Sequence, residues 1–235
     1  MKRSHVNEIL EASDAFLKSF SYTLPPFAYW SPEELLADAR SPGGSMIFDR
    51  RMGWDVTDYD KGDFDSMGLF LFTVRNGLLS DLRAGGGMVY AEKIMISKKD
   101  QLSPMHKHAI KAEDIINRGG GKLVLELFAS AEDGSCHPTE AVTIPVDGQM
   151  RTVQAGGLLK LDPGESVTLL PGVWHAFWGE GADVLIGEVS TVNDDETDNI
   201  FREAIPRFSD IEEDTAPNHL LVSDYDRWLA ADASA

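Results

Sequence analysis

The sequence predicts a mainly β protein: a single antiparallel, jelly-roll-like barrel preceded by an N-terminal helical extension. Three observations carry that expectation. From about residue 44 onward, short apolar runs alternate with Gly, Asp and Pro. The first 43 residues instead carry helical periodicity. A chain of 235 residues that is 43% hydrophobic can bury one sizeable core, so one large domain suffices.

In the extension, Val6, Ile9, Leu10, Phe16, Leu17 and Phe20 recur at helical spacing, with Ser13 the one polar position on that face. After "TLPP" comes "WSPEELLADAR". Ser31 reads as an N-cap, Pro32 as the first helical position, and Glu33 and Glu34 as the acidic first turn. We place the extension at 1–43. The barrel is placed at 44–235, ending in an acidic segment and a short helix, all as one structural domain.

The barrel runs are "GLFLFTVRNG", "MVYAEKIMIS", "KLVLELFAS", "VTIPVDG", "RTVQAGG", "LLKLDPGES", "VTLLPG", "HAFWGEG" and "DVLIGEVSTV". Many short strands separated by turn signals indicate an antiparallel sandwich or barrel. Helix-forming text returns in "DYDRWLAADAS". The glycine triplets in "RAGGG" (83–87) and "RGGGK" (118–122) read as hairpin turns, since neither has the strand–loop–helix context of a phosphate-binding loop.

Composition narrows the partners. A formal net charge of −18 argues against nucleic acid and anionic membranes, and suits a cation and a neutral substrate. The single cysteine, Cys136, rules out an intrachain disulfide and a Cys-rich zinc site, and fits a reducing compartment. The N-terminus starts basic but has no unbroken apolar run and no small-residue cleavage site, so no signal peptide is expected. With no apolar stretch of bilayer length, the expectation is a cytoplasmic protein.

The chemistry begins in "PMHKHAIKAED", residues 104–114. His106 and His108 stand at i and i+2, so on a strand their imidazoles share one face. Glu113 follows at odd separation from His108, which demands a bend after Ala109 if it is to join them. Some sixty residues on, "LDPGESVTLLPGVWHAFWGEG" delivers His175 just after a Pro-Gly turn. Three imidazoles and one carboxylate make a mixed N/O site suited to divalent Mn, Fe, Co, Ni or Zn, with positions left open for substrate. The four together outweigh the reading of His106 and His108 as solvent-facing residues on an edge strand. His5, His137 and His219 lack such company, and Cys136 in its polar loop reads as idle.

The pattern HxH(x)4E(x)6G followed by PG..H resembles the two motifs of the cupin superfamily. The opening "MKRSHVNEIL", the block "SPMHKHAIKAEDIINRGGG" and "LPGVWHAFWGEGADVLIGEVSTVNDDETDN" resemble the D-lyxose isomerase family of bacterial cupins. The chain departs from the general pattern where Asp100 replaces a glycine before the histidines and Gly179 stands where asparagine is common. The spacing after Pro171 is also one residue short. These positions shape turns and leave the ligands intact. The resemblance implies a cupin-type barrel and an aldose–ketose isomerase acting on D-lyxose and D-xylulose, with D-mannose and D-fructose as a side pair. It also implies manganese.

Isomerisation moves a proton from C2 to C1, so proton-transfer groups are sought. Lys93 lies in the otherwise apolar "YAEKIMIS", and Lys111 lies between two ligands. A nearby cation disfavours the charged form of either and allows proton exchange near neutrality, the alternative being a surface lysine. Trp174, Phe177 and Trp178 flank His175; at least one is expected to face inward, against the C–H side of a sugar or simply into the core. The acidic stretch 189–214 contains Arg207, and part of it is expected to close over the site. From it Glu213, chosen over Glu212, is paired with Lys111 as proton shuttle, with the identity of the base and a hydride shift both left open. Lys93, Trp174 and Phe177 are the substrate-binding candidates. The rivals are a cupin dioxygenase working with iron and a non-catalytic sugar-binding cupin; lysines and carboxylates beside the ligands favour isomerisation. A helical N-terminal layer suits a homodimer.

Overall fold

The computed structural model describes residues 1–41 and 46–232, so the expected boundary at 43/44 lies outside the described residues. Helix α1 (Arg3–Ser19) buries Val6, Ile9, Leu10 and Leu17, and Ser13 lies on the same buried face. A 3-10 turn over Pro26–Tyr29 leads to α2 (Pro32–Ala39). At its start the Glu34 amide donates to Ser31 Oγ at 3.2 Å and the Ser31 amide to the Glu34 carboxylate at 2.8 Å. This reciprocal cap, expected from the sequence only on the serine side, satisfies donors that an open helix end leaves bare.

After α3 (Met46–Asp49) the strands begin: β1 (Gly53–Thr57), β2 (Leu69–Arg75) and, past α4 (Leu79–Ala84), β3 (Tyr90–Ser97) and β4 (Ser103–His108). Next come β5 (Glu113–Phe128), β6 (Val142–Val146), β7 (Gln149–Val153), β8 (Gly157–Leu161), β9 (Ser166–Leu169), β10 (Trp174–Thr191) and β11 (Asn199–Phe201), and finally α5 (Tyr225–Asp232). The main path of the sheet is β1-β2-β3-β10-β5-β9-β6-β7, with β4 paired to β10 and β11 and β8 paired to β5. Each of these ladders is antiparallel, as predicted.

Both glycine triplets were expected as hairpin turns, and neither is one. Gly85, with φ +69°, ends α4 in the left-handed conformation that a helix C-cap favours. The second triplet lies inside β5, whose 16 residues run past it without reversing. Gly120 has φ +95°, and a Cβ there would collide with the carbonyl oxygen of Asp183. Opposite, the register of β10 slips between Glu180 and Val184. The resulting bend lets residues 113–116 pair with β9 and residues 123–127 with β8. Likewise "HAFWGEG" and "DVLIGEVSTV" are two halves of the single bent strand β10. These two long strands close the barrel because each belongs to both of its walls.

Strand alternation divides the core. Leu69, Leu71 and Met95 point into the barrel with Leu123, Leu125, Leu127 and Ile186. Phe70, Phe72, Ile94, Trp54 and Val56 point outward, where the apolar face of α1 covers them. Asp55, opposite Leu71 in the β1–β2 register, therefore shares the interior face. The C-terminal segment is fastened to the start of the chain by the buried Arg3, whose guanidinium donates to Glu213 at 2.8 Å and Asp224 at 2.8 Å. Among the described residues no helix is long and apolar enough to cross a membrane.

Candidate metal centre and active site

The bend required after Ala109 is present and has a visible cause. The Asp198 carboxylate accepts hydrogen bonds from the amides of Ala109 (2.9 Å), Ile110 (2.8 Å) and Lys111 (2.9 Å). These three bonds turn the chain between β4 and β5, so the inward parity of His106 and His108 passes on to Glu113. From the other wall, His175 on β10 lies in register with His106. The ligand atoms of His106, His108 and His175 all lie within 4.8 Å of one another. Glu113 Oε1 is 3.4 Å from His108 Nε2 and 3.3 Å from His175 Nε2.

The donor set fits a divalent ion on electrostatic grounds. His106 Nδ1 meets the Pro104 carbonyl at 2.8 Å and His175 Nδ1 meets the Val173 carbonyl at 3.1 Å. A carbonyl only accepts, so both rings carry their proton on Nδ1 and, when neutral, leave Nε2 bare. Burial, then the neighbouring imidazoles, hold His106 well below the ordinary histidine range. Burial pushes His175 down to about 4 despite the pull of Glu113. A neutral His175 therefore aims a lone pair at a carboxylate oxygen, an arrangement that a shared cation makes favourable. Glu113 stays ionised: burial opposes its charge, but Lys111 and then His108 hold it well below the usual carboxylate range.

A chain of alternating charges leads away from Glu113. Lys111 Nζ is 2.7 Å from Glu113 Oε2 and 3.0 Å from Glu188 Oε1, with Glu188 also accepting from Ser190 Oγ at 3.0 Å. Lys93 Nζ is 4.0 Å from Glu188, 2.6 Å from Asn193 Oδ1 and 3.3 Å from Asp195. Arg207 reaches Asp195 at 3.5 Å and Asp55 at 2.6 Å. Tyr59, Phe177 and Phe201 add aromatic walls, and the space between the lining residues is about 30 Å³. Burial pushes the Tyr59 phenol up to about 12, so it is neutral. A larger cleft of about 600 Å³ lies on the far side of Asp195, which lines both spaces.

Lys93, Lys111 and Phe177 thus line the site. Two expectations need correction. Glu213 is not among the side chains that line the cavity; it is held by Arg3 and Arg227 at the junction of the chain's two ends. The carboxylate that lines the cavity beside Lys111 is Glu188, directly opposite Lys93 in the β10–β3 register. Trp174 has the opposite parity to His175. It packs with Met105 and Ala176 under the Lys107 ammonium, 4.7 Å from its ring centre, and donates to the Gly134 carbonyl at 3.2 Å. At Lys111 burial works against the charge, but Glu113 and Glu188 outweigh it and raise its pKa.

Sequence reasoning assigned no role to Glu188, Asp195, Tyr59 or Arg207, each of which lines the cavity. Glu188 gave the same signal as Lys93, a charge on the inward parity of an apolar strand. Part of the acidic stretch does close over the site, through Asp195, Asn199, Phe201 and Arg207.

Comparison with known proteins agrees with this geometry. The family model for D-lyxose isomerase matches residues 1–225. A D-lyxose/D-mannose isomerase of Serratia proteamaculans is 48% identical over 233 residues, covering 98% of this chain and all of its own. A D-lyxose/D-mannose isomerase of Escherichia coli O157:H7 is 42% identical over 231 residues, covering 96% of this chain and 98% of its own. Among solved structures, Cellulomonas parahominis L-ribose isomerase with L-ribose superposes with a TM-score of 0.57 at 15% identity, over 90% of this chain and 98% of that one. Acinetobacter sp. DL28 L-ribose isomerase with L-ribose gives 0.55 at 17% identity, over 87% and 93%. At such identities these two similarities speak for the fold.

Proposed function

The chain belongs to the D-lyxose isomerase family, and from that premise we propose that this sugar isomerase interconverts D-lyxose with D-xylulose, and D-mannose with D-fructose. His106, His108, Glu113 and His175 would hold a divalent ion. That ion would supply positive charge where negative charge develops on the two sugar oxygens.

The protein's own groups account for the protons. The Glu188 carboxylate removes the proton from C2, and the electron pair of that bond becomes the C1–C2 double bond of the enediol. Glu188 then returns the proton to C1 while C2 becomes the carbonyl carbon. Lys111, kept cationic by its two carboxylate neighbours, gives a proton to O1 and recovers one from O2. No outside oxidant or reductant is needed. Phe177 and Phe201 keep bulk water from the exchanging proton. The observation that carries this reading is the Lys111 ammonium, 2.7 Å from one carboxylate among the ligands and 3.0 Å from a second outside them. A wall bearing Lys93, Lys111, Glu188 and Asp195 suits proton transfer better than oxygen chemistry, which needs mostly an apolar cavity.

The cavity of about 30 Å³ is open on one side, and Asp195 on its lining is held by Lys93 and Arg207. The reading extends to manganese as the ion and to a cytoplasmic homodimer, checked by metal analysis and light scattering.

Treatment with EDTA should abolish conversion of D-lyxose, and manganese should restore it. His175→Ala should stay folded by circular dichroism yet lose most of its metal and turnover. Full turnover by metal-free protein would overturn the reading.

A further inference from the structure

The ion pairs order the cavity from one end to the other. They run from Glu113 through Lys111, Glu188, Lys93 and Asp195 to Arg207 and Asp55. At the last pair the hydrogen bonding is incomplete on both sides. Arg207 donates from Nη2 to Asp55 Oδ2 at 2.6 Å, while Arg207 Nη1 and Asp55 Oδ1 are buried without any partner. Arg207 lines the cavity, and Asp55, on the same face of the wall as Leu71, stands next to it through its bond with Arg207. The guanidinium also lies 4.8 Å over the Phe208 ring, which fixes its plane.

Buried polar groups are nearly always satisfied, so an unmet donor and an unmet acceptor on one ion pair call for a ligand. A hydroxyl group is the natural complement, because its oxygen accepts one hydrogen bond while its proton makes another. A carboxylate would offer no proton to Asp55, and an ammonium no lone pair to Arg207.

We propose that Arg207 and Asp55 form the subsite for the sugar's terminal hydroxyl, at the end of the chain opposite the carbonyl. This rests on the isomerase reading above, which puts C1 and C2 beside the four ligands. Nη1 then donates to the hydroxyl oxygen and Oδ1 accepts its proton. D-lyxose and D-mannose share their configuration at C2, C3 and C4 and differ only beyond C4. The pair is therefore placed to distinguish pentose from hexose, a task that the residues near C2 cannot perform.

The test crosses one side chain with one substrate group. Wild type, Asp55→Asn and Arg207→Lys are each assayed with D-lyxose and with 5-deoxy-D-lyxose, and metal content is measured in all three. Wild type should process the deoxy sugar with kcat/KM at least about tenfold lower, since a site built to bind a hydroxyl rejects the analogue without it. Both variants should lose activity on D-lyxose but little on the deoxy sugar, bringing the ratio towards one, with metal content unchanged. Asp55→Asn keeps the shape of the side chain, so it carries the comparison even if Arg207→Lys fails to fold. Equal losses on both sugars would reduce the pair to a structural latch and overturn the proposal, as would a wild type indifferent to the missing hydroxyl. A wild type that converts neither sugar would overturn the isomerase reading along with it.

Discussion

At Glu113 a single carboxylate faces two imidazoles through one oxygen and the Lys111 ammonium through the other. Glu188 has no contact with the histidines or Glu113, and in the mechanism proposed above it carries the transfer. Replacing it with Gln keeps shape and hydrogen bonding but removes the base, so turnover should fall roughly 10²–10⁴-fold with metal content unchanged. Glu213→Gln should behave differently. Its partners are Arg3 and Arg227, far from any ligand, so turnover should stay within about twofold of wild type. Its mark should appear in acid stability. Hydrogen bonding to Arg3 lowers the Glu213 pKa below its ordinary 4.5. A group lowered on folding stabilises fully above its unfolded value and loses that contribution as pH falls through the folded one. Urea midpoints of wild type and Glu213→Gln should therefore differ above about pH 4.5 and converge below it.

Among the elements, β5 shows how a glycine governs a site it does not touch. The bend at Gly120 assigns the first half of the strand to β9 and the second to β8, and Glu113 opens the first half. Gly120→Ala puts a side chain at φ +95° against a backbone carbonyl, so it should lower stability by about 1–3 kcal/mol or more and lower metal occupancy with it. Thermal melts with metal analysis would check both. That His106 and His108 share one face was legible in the sequence because HxH spacing and strand parity are local. Asp100 was legible as a turn residue too, and it adopts φ +61° where the related motif carries glycine. The bend that makes β5 continuous was not legible, since the partner that forces it, Asp183, is sixty residues away. Both Trp174 and Phe177 were expected in the site, yet parity with His175 admits only Phe177. Glu188 was missed because its significance comes from the β10–β3 register, which sets it opposite Lys93. Glu213 was chosen for its acidic surroundings, and acidity says nothing of position.

For the molecule as a whole, the two chain ends share one task. Helix α1 seals the outer face of the β1–β2–β3 wall, and Arg3 at its first turn pins the segment C-terminal to the acidic closure of the cavity. The barrel interior then sets the three histidines, Glu113 and the chain of ion pairs against the rings of Tyr59, Phe177 and Phe201. In the proposed mechanism such a setting would hold a proton in transit between two carbons on a carrier group that exchanges with solvent between turnovers. The isomerisation of D-lyxose in D₂O tests this most directly. Proton transfer through Glu188 predicts deuterium at C1 of the D-xylulose formed. A product that stays unlabelled over many turnovers would mean that the hydrogen passes directly from C2 to C1, and would contradict the role given to Glu188.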